Sequence, residues 1–294
     1  MNKVGFIGVG IMGKSMVRNL MKAGFELHIY ARTKSKVEDV ISEGAQFHES
    51  IKDCVQDCDA VITIVGFPQD VEEVYFDEGN ILDSAKKGAY LIDMTTTSPQ
   101  IAEKIYEEGT KRGFHVMDAP VTGGDTGAKA GTLSILVGGE KEDYEACMSL
   151  FEAMGTNINY QGKAGCGQHC KLANQIMIAG TLSGVCEALT YAKEQGLDPE
   201  VFMKSVATGA AGSKQLDTFG PKILKDDYAP GFFIKHFIKD MKLALIEANR
   251  KGLSLDVLSM VLANYEELEQ EGYGDLGTQA LMKFYDEEHR NTEE

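Results

Sequence analysis

Residues 3–13, KVGFIGVGIMG, decide the fold of this chain. The apolar start of this stretch is typical of a buried β-strand, and apolar residues at helical spacing follow it. Between strand and helix stands Gly-x-Gly-x-x-Gly. Its first glycine permits a tight turn, its second a close approach of a pyrophosphate, and its third close packing of helix on strand. We therefore predict a dinucleotide site formed by Gly8, Val9, Gly10, Ile11, Met12 and Gly13.

The bulk composition describes a globular, acidic chain. It has 294 residues, 43% of them hydrophobic, and a formal net charge of −16. A chain of this length is expected to form about two domains. Because the charge is strongly negative, we expect neither nucleic acid nor an anionic membrane as a partner.

Three features favour a cytoplasmic location. The first strand begins at residue 3, so we expect no signal peptide. We find no apolar run of the roughly 18 residues that cross a bilayer. The six cysteines contain no Cys-x-x-Cys pair, which favours free thiols in a reducing compartment over a disulfide framework.

Apolar runs alternate with amphipathic stretches in the first half of the chain. The runs predict strands at 3–8, 26–31, 60–65, 89–94, 114–117 and 133–138, with helices between them. This alternation is typical of an α/β fold with a doubly wound parallel sheet. Beyond about residue 160 the pattern predicts helices alone, beginning with a long helix near residues 168–195 and ending in an acidic tail, 286–294, that is expected to fray. We predict a Rossmann domain over 1–163, a long connecting helix, and an all-helical domain for substrate binding and oligomerisation over 164–294.

The end of the second strand selects between nicotinamide dinucleotides. An acid there binds the ribose 2′-hydroxyl of NAD, whereas a basic side chain receives the 2′-phosphate of NADP. Here Ala31, Arg32 and Thr33 follow the strand. Arg32 and Thr33 can hold a phosphate through a guanidinium and a hydroxyl. We expect these three residues to bind NADP in preference, with NAD possible; a solvated basic turn is the alternative.

The chain contains three further sequence motifs: Asp118-Ala-Pro-Val-Thr-Gly-Gly124, Gly165-x-Gly167-x-x-x-Lys171-Leu-Ala-Asn174-Gln175, and Ile238-Lys239-Asp240-Met-x-Leu-Ala. With the glycine turn they resemble the β-hydroxyacid dehydrogenase family, which includes 3-hydroxyisobutyrate dehydrogenase, tartronate semialdehyde reductase and the glyoxylate/succinic semialdehyde reductases. The resemblance covers essentially the whole chain. It implies hydride transfer between a nicotinamide cofactor and a short β-hydroxy acid or its semialdehyde.

The resemblance implies roles for the matching residues. Lys171 takes the place of the catalytic acid/base, and Asn174, on the same helix face, that of the group holding the substrate oxygen. Burial lowers the pKa of a lysine, so such a group can serve both directions of the reaction. In the segment Asp118–Gly124 the resemblance implies substrate binding at Thr122, Gly123 and Gly124, where Thr122 replaces the serine of the family.

The remaining positions complete the predicted site. Further cofactor contacts are expected at Val65, Gly66, Thr96 and Lys239, and further substrate contacts at Phe232 and Asp240. Gln175 stands where the family commonly has a second asparagine, so its role is open.

Two other functions remain as alternatives: an imine reductase-type enzyme and a non-catalytic dinucleotide-binding protein. Relatives of both kinds lack the catalytic lysine, so Lys171 disfavours them. Cys166 and Cys170 bracket His169, but helix packing is favoured over a metal site, and we expect no metal. We expect a small hydroxy acid or semialdehyde as substrate and a homodimer or homotetramer as the assembly.

Overall fold

The computed structural model describes the backbone of residues 1–291 and the side chains of residues 1–286. It divides into two compact units, Met1–Lys171 and Leu172–Glu294. The domain boundary predicted between residues 163 and 164 stays a prediction, and it falls just before the long helix. The frayed tail predicted for 286–294 lies in part on a helix that ends at Asn291, and its last residues, 292–294, lie outside the described residues.

The first unit is built on a nine-stranded sheet. Its strands are β1 (Lys3–Ile7), β2 (Glu26–Tyr30), β3 (Gln46–Phe47), β4 (Ala60–Thr63), β5 (Tyr90–Asp93), β6 (His115–Asp118), β7 (Val121–Thr122), β8 (Leu133–Gly139) and β9 (Gly155–Gly162). The strand order is β3-β2-β1-β4-β5-β6-β8-β7, with β9 paired to β8. The order reverses beside β1, which makes the sheet doubly wound and confirms the predicted α/β class.

The sheet is mixed. Strands β1 to β6 pair in parallel, whereas β8 runs antiparallel to β6 and β7. The prediction of a parallel sheet is therefore wrong at this edge. β6 and β7, joined by Ala119 and Pro120, both pair with β8. The chain returns from β7 to β8 through residues 123–132, fewer than the dozen or more residues of a parallel crossover. Sequence patterns also missed β9, because most of its residues, GTNINYQG, are polar and only partly buried.

Helices cover both faces of this sheet. They are α1 (Ile11–Lys22), α2 (Glu38–Ser42), α3 (Ile51–Val55), α4 (Pro68–Phe76), α5 (Ile81–Ser84), α6 (Pro99–Lys111), α7 (Gly124–Ala130), α8 (Lys141–Ala146), α9 (Met148–Met154) and the first turns of α10 (Cys166–Glu194), with a 3-10 turn at Lys34–Lys36. Alternate strand residues enter opposite cores, with Phe6 and Ile62 on one face and Ile7 and Val61 on the other. Burial on both faces explains why these strands read as continuous apolar runs.

The second unit is helical, as predicted. After α10 come α11 (Pro199–Ala207), α12 (Lys214–Ile223), α13 (Ile234–Arg250), α14 (Asp256–Gln270) and α15 (Met282–Asn291), with a 3-10 turn at Thr278–Leu281. The core of this unit includes Phe237, whose ring meets that of Tyr265 edge-on at 5.3 Å between centroids. The buried hydroxyl of Tyr265 donates to the carbonyl oxygen of Thr278 at 2.7 Å.

Helix α10 corrects the expectation about apolar runs. It contains an 18-residue window with a mean hydropathy of 1.2, which is long and apolar enough to cross a membrane by length and composition. In that window 44% is buried, and Leu182, Cys186 and Leu189 belong to the core of the second unit. Core helices meet the same criteria, so this window is weak support for a membrane span.

Candidate functional site

The glycine turn joins β1 to α1 where the strand order reverses. Gly8 has a φ of +97°, and a Cβ at this position would overlap the carbonyl oxygen of Ile64. A Cβ on Gly13 would overlap the carbonyl oxygen of Gly8. A Cβ on Gly10 would meet no described atom within 4 Å. The turn is thus closely packed at its first and third glycines and open at its second.

The N-terminus of α1 faces the same turn. Gly10 is the N-cap residue of α1 and supplies no side-chain hydrogen bond. The first turn of α1, which spans the described residues Ile11–Lys22, contains no acidic residue. The first N–H groups and the positive end of the helix dipole therefore favour an anion. Together with the open side of Gly10, this arrangement fits the pyrophosphate of a dinucleotide.

The loops after β4 and β5 adjoin each other. The backbone N–H of Val65 donates to Thr95 Oγ1 at 3.0 Å, and Thr63 Oγ1 donates to Asp93 Oδ1 at 2.8 Å. Asp93 is fully buried, and this burial raises its pKa to about 6. Since the carboxyl ends of parallel strands lie at one edge of a sheet, this edge carries the predicted cofactor contacts Val65, Gly66 and Thr96.

Arg32 follows β2, between Ala31 and Thr33, and is paired with Asp70. The distance from Arg32 Nη2 to Asp70 Oδ1 is 3.0 Å, and the arginine side chain is 69% exposed. Asp70 Oδ2 in turn accepts the backbone N–H of Phe67 at 2.9 Å, at the start of α4. The guanidinium is therefore held by an anchored carboxylate while most of its surface remains open to a ligand.

The predicted substrate segment forms the turn between β7 and α7. Thr122 is half-buried and pairs with Ser134 of β8. Gly123 and Gly124 are exposed, with φ values of +130° and +64°, which favour glycine. The next residue, Asp125, pairs with Lys129 at 3.2 Å.

Lys171 lies in the second turn of α10 and is only 7% exposed. The first turn of this helix is anchored by Asp118, whose carboxylate accepts the N–H of Gly165 at 2.7 Å and of Gln168 at 2.8 Å. Burial raises the pKa of Asp118, while these two N–H groups act to lower it. Asp118 therefore connects the segment 118–124 to the helix that carries Lys171.

Gln168 provides a second anchor that sequence reasoning missed. Its buried amide donates to the carbonyl oxygen of Thr95 at 2.7 Å and accepts the N–H of Thr97 at 2.9 Å. It thus joins the loop containing Thr96 to the first turn of α10. The signal available in the sequence was a polar residue on the same helix face as Lys171 and Gln175, which by itself does not name a partner.

In the second unit, three residues with predicted roles and Gln175, whose role was left open, form one chain of polar contacts. Asn174 Nδ2 donates to Gln175 Oε1 at 2.8 Å, and Gln175 Nε2 donates to Asp240 Oδ2 at 2.7 Å. Asp240 Oδ1 lies 3.0 Å from Lys239 Nζ. Gln175 is 2% exposed and Asp240 is fully buried. We call this set, Asn174–Gln175–Asp240–Lys239, the polar chain; it runs from α10 to α13.

Phe232 precedes α13 and packs within the same unit. Its ring stacks on His236 at 6.4 Å and meets Phe237 edge-on at 6.0 Å, measured between centroids. Substrate contacts by Phe232 and Asp240 stay predictions. Among the described residues, no group of three or more His, Cys, Asp or Glu side chains could hold a metal ion.

Two family models match the chain. Residues 3–162 match one described as the NAD binding domain of 6-phosphogluconate dehydrogenase. Residues 165–285 match one described as the NAD-binding of NADP-dependent 3-hydroxyisobutyrate dehydrogenase. The chain belongs to the β-hydroxyacid dehydrogenase family. The family resemblance drawn from the four motifs is thereby confirmed.

Several known proteins are similar to this β-hydroxyacid dehydrogenase. An uncharacterized oxidoreductase of Bacillus subtilis is 49% identical, over 96% of this chain and 98% of its own. The probable 3-hydroxyisobutyrate dehydrogenase-like 1 of Arabidopsis thaliana is 44% identical, over 95% and 84%. The solved 3-hydroxyisobutyrate dehydrogenase of Mycobacterium tuberculosis with L-serine is 26% identical, with a TM-score of 0.88 over 96% and 98%. As a member of this family, the protein is an oxidoreductase with a nicotinamide dinucleotide as cofactor and hydroxy acids as its substrate class.

Proposed function

We propose that this β-hydroxyacid dehydrogenase interconverts a short β-hydroxy acid, of the 3-hydroxyisobutyrate kind, and its semialdehyde, with NADP preferred over NAD. The observation that carries the proposal is Lys171, a buried lysine one helical turn before Asn174 on α10. The names of the second family model and of the Arabidopsis relative support the substrate class. The L-serine in the mycobacterial structure supports it as well, because serine is itself a β-hydroxy acid.

Lys171 moves the proton in this proposal. Its ammonium donates to the carbonyl oxygen of the semialdehyde during reduction, and its neutral amine accepts from the hydroxyl during oxidation. Asn174 hydrogen-bonds the same oxygen. Backbone groups of Thr122–Gly124 hold the substrate carboxylate. The bound nicotinamide supplies or accepts the hydride at the carbinol carbon.

The first unit would hold the dinucleotide through three groups. The glycine turn and the N-terminus of α1 hold the pyrophosphate, and Arg32 with Thr33 receives the 2′-phosphate. The remaining contacts are Val65, Gly66, Thr96 and, from the second unit, Lys239.

A substrate panel tests the reaction. The protein is mixed with NADPH or NADH and a series of short semialdehydes, and the absorbance of the reduced nicotinamide is followed; 3-hydroxyisobutyrate and L-serine with the oxidised cofactors test the reverse direction. We expect turnover of at least one three- or four-carbon acid. Solved imine reductases share this fold, so a cyclic imine belongs in the panel. Turnover of the imine alone, or NADPH binding without any turnover, would overturn the proposal.

The variant Lys171→Ala tests the proton transfer. We expect kcat to fall by about 100-fold or more, the usual contribution of a general acid/base, while the Kd for NADPH changes little. Lys193→Ala, at the exposed end of the same helix, is the matched control and should keep wild-type kcat. Near-normal turnover by the Lys171 variant would remove this residue from the mechanism.

A further inference from the structure

Only one orientation of the two side-chain amides pairs every donor with an acceptor along the polar chain. Paired with the ammonium of Lys239, the carboxylate of Asp240 acts only as an acceptor. Gln175 must therefore turn its amide nitrogen toward Asp240, and its carbonyl oxygen is left for Asn174. Asn174 then has to offer its own Nδ2. Reversing either amide would place two donors or two acceptors in contact.

We propose that Asp240 and Gln175 are positioning residues that fix the amide orientation of Asn174. Through Gln175, the buried carboxylate fixes one hydrogen of Asn174 Nδ2 and leaves the second hydrogen of Nδ2 as the donor to the substrate oxygen. The same carboxylate holds the ammonium of Lys239. This inference rests on the proposed function, which assigns Asn174 to the substrate oxygen. Asp240 is fully buried and acts through its two neighbours, a positioning role that replaces the substrate contact predicted from the family resemblance.

Because Gln175 and Asp240 are buried, the two amides are held in this one orientation. A buried amide or carboxylate that loses its partner pays its full desolvation cost, so the chain is ordered as a unit. Gln175 is 2% exposed and Asp240 fully buried, which leaves water no place as a substitute partner. Glutamine also has the reach to bridge α10 and α13 while its carbonyl still meets the neighbouring Asn174; asparagine is one methylene shorter. The departure from the common family motif at residue 175 thus has a physical role.

Two variants test the polar chain through kinetics. Gln175→Met keeps the length and volume of the side chain and removes its hydrogen bonds. We expect kcat to fall about 10-fold or more, because a catalytic group loses its alignment, with the Kd for NADPH unchanged. Asp240→Asn should lower kcat as well and also weaken NADPH binding, since Lys239 loses the carboxylate that lies 3.0 Å from its Nζ.

Gln279→Met is the matched control. Gln279 is a fully buried glutamine of the same unit, and its Nε2 donates to the carbonyl oxygens of Asp227 and Ala229 at 2.9 and 3.1 Å. The control should lower the melting temperature while leaving kcat unchanged, which separates positioning from general loss of stability. A kcat of the Gln175 variant equal to wild type, or equally low in both methionine variants, would overturn the proposal.

Nuclear magnetic resonance supplies a readout that needs no substrate. The side-chain amide signals of Asn174 are assigned by their loss in Asn174→Asp. We expect these protons to exchange slowly with water in the wild type and in Gln279→Met, and quickly in Gln175→Met. Equal exchange in all three proteins would overturn the inference. If the wild type converts no hydroxy acid or semialdehyde, the proposed function fails, and the exchange rates still decide whether Gln175 orients Asn174.

Discussion

Arg32 shows at the scale of one residue how cofactor choice can be tested. Replacing it with aspartate exchanges a charge-assisted contact for repulsion, to which the neighbouring carboxylate of Asp70 adds. We expect Arg32→Asp to weaken NADPH binding by roughly 100-fold, and NADH binding to stay the same or improve. Fluorescence titration with both reduced cofactors measures the two Kd values.

Lys36→Asp provides the control for this charge reversal. Lys36 is exposed and lies in the 3-10 turn after Thr33, so its variant changes the net charge equally without removing the guanidinium. A wild type with higher kcat/KM for NADH than for NADPH would contradict the assignment of Arg32.

Asp93 predicts a pH dependence of stability. Burial raises its pKa to about 6 from an ordinary 3.8, so the folded state binds the proton more tightly than the unfolded state. The free energy of unfolding therefore falls as the pH rises between these values, and the loss is complete above about pH 6. Asp93→Asn should remove this cost, and its stability relative to wild type should rise from pH 4 to pH 7 by roughly 2 kcal/mol. Urea unfolding at a series of pH values measures the difference.

Asp83→Asn should behave in the opposite way. The Gly79 N–H and the Arg112 guanidinium lower the pKa of Asp83, so its carboxylate stabilises the fold at neutral pH and loses that effect as the pH falls. A stability difference between wild type and Asp93→Asn that does not vary with pH would show that Asp93 titrates normally.

At the scale of the element, different glycines of the turn serve folding and cofactor binding. A Cβ on Gly13 would overlap the carbonyl oxygen of Gly8, whereas Gly10 has a φ of −86° and open space beside it. We expect Gly13→Ala to lower the melting temperature by several degrees. Gly10→Ala should melt as the wild type does and lose at least about 10-fold in NADPH affinity, because the methyl group enters the space of the pyrophosphate. Unchanged NADPH affinity in Gly10→Ala would exclude the turn as the pyrophosphate site.

At the scale of the molecule, the second unit exposes more large apolar side chains than the first. Its exposed members are Met177, Tyr191, Leu197, Val201, Ile246, Leu253, Val257 and Met260. Val257 of α14 lies beside Gly180 of α10, one helical turn after Met177, so exposed apolar side chains of two helices adjoin here. Contiguous apolar surface marks protein–protein contacts, and we expect a homodimer or homotetramer formed through this unit. Light scattering after size exclusion should show a multimer for the wild type and a smaller species for the double variant Met177→Glu with Val257→Glu. The control variant Lys141→Glu, on the first unit, should keep the oligomeric mass of the wild type. A monomeric wild type would contradict the prediction.

The sequence by itself determined the features that depend on neighbouring residues. Strand, glycine turn and helix follow from apolar spacing and from the φ angles that glycine permits, all within residues 3–22. The same holds for the alternation that predicts the doubly wound sheet and for the motifs that identify the family. Each of these constraints acts over a few residues, so each leaves a local pattern.

Only the tertiary structure decided which distant groups meet. Asp118 caps the first turn of α10 from 50 residues away, and Gln175 reaches Asp240 across 65. No periodicity encodes such pairs, because a buried polar group needs a partner but does not specify from which element that partner comes. The antiparallel edge was missed for the same reason, since strand pairing is a contact between separate segments and not a property of either one. Strand β9 was missed because its polar, partly buried residues leave no apolar pattern.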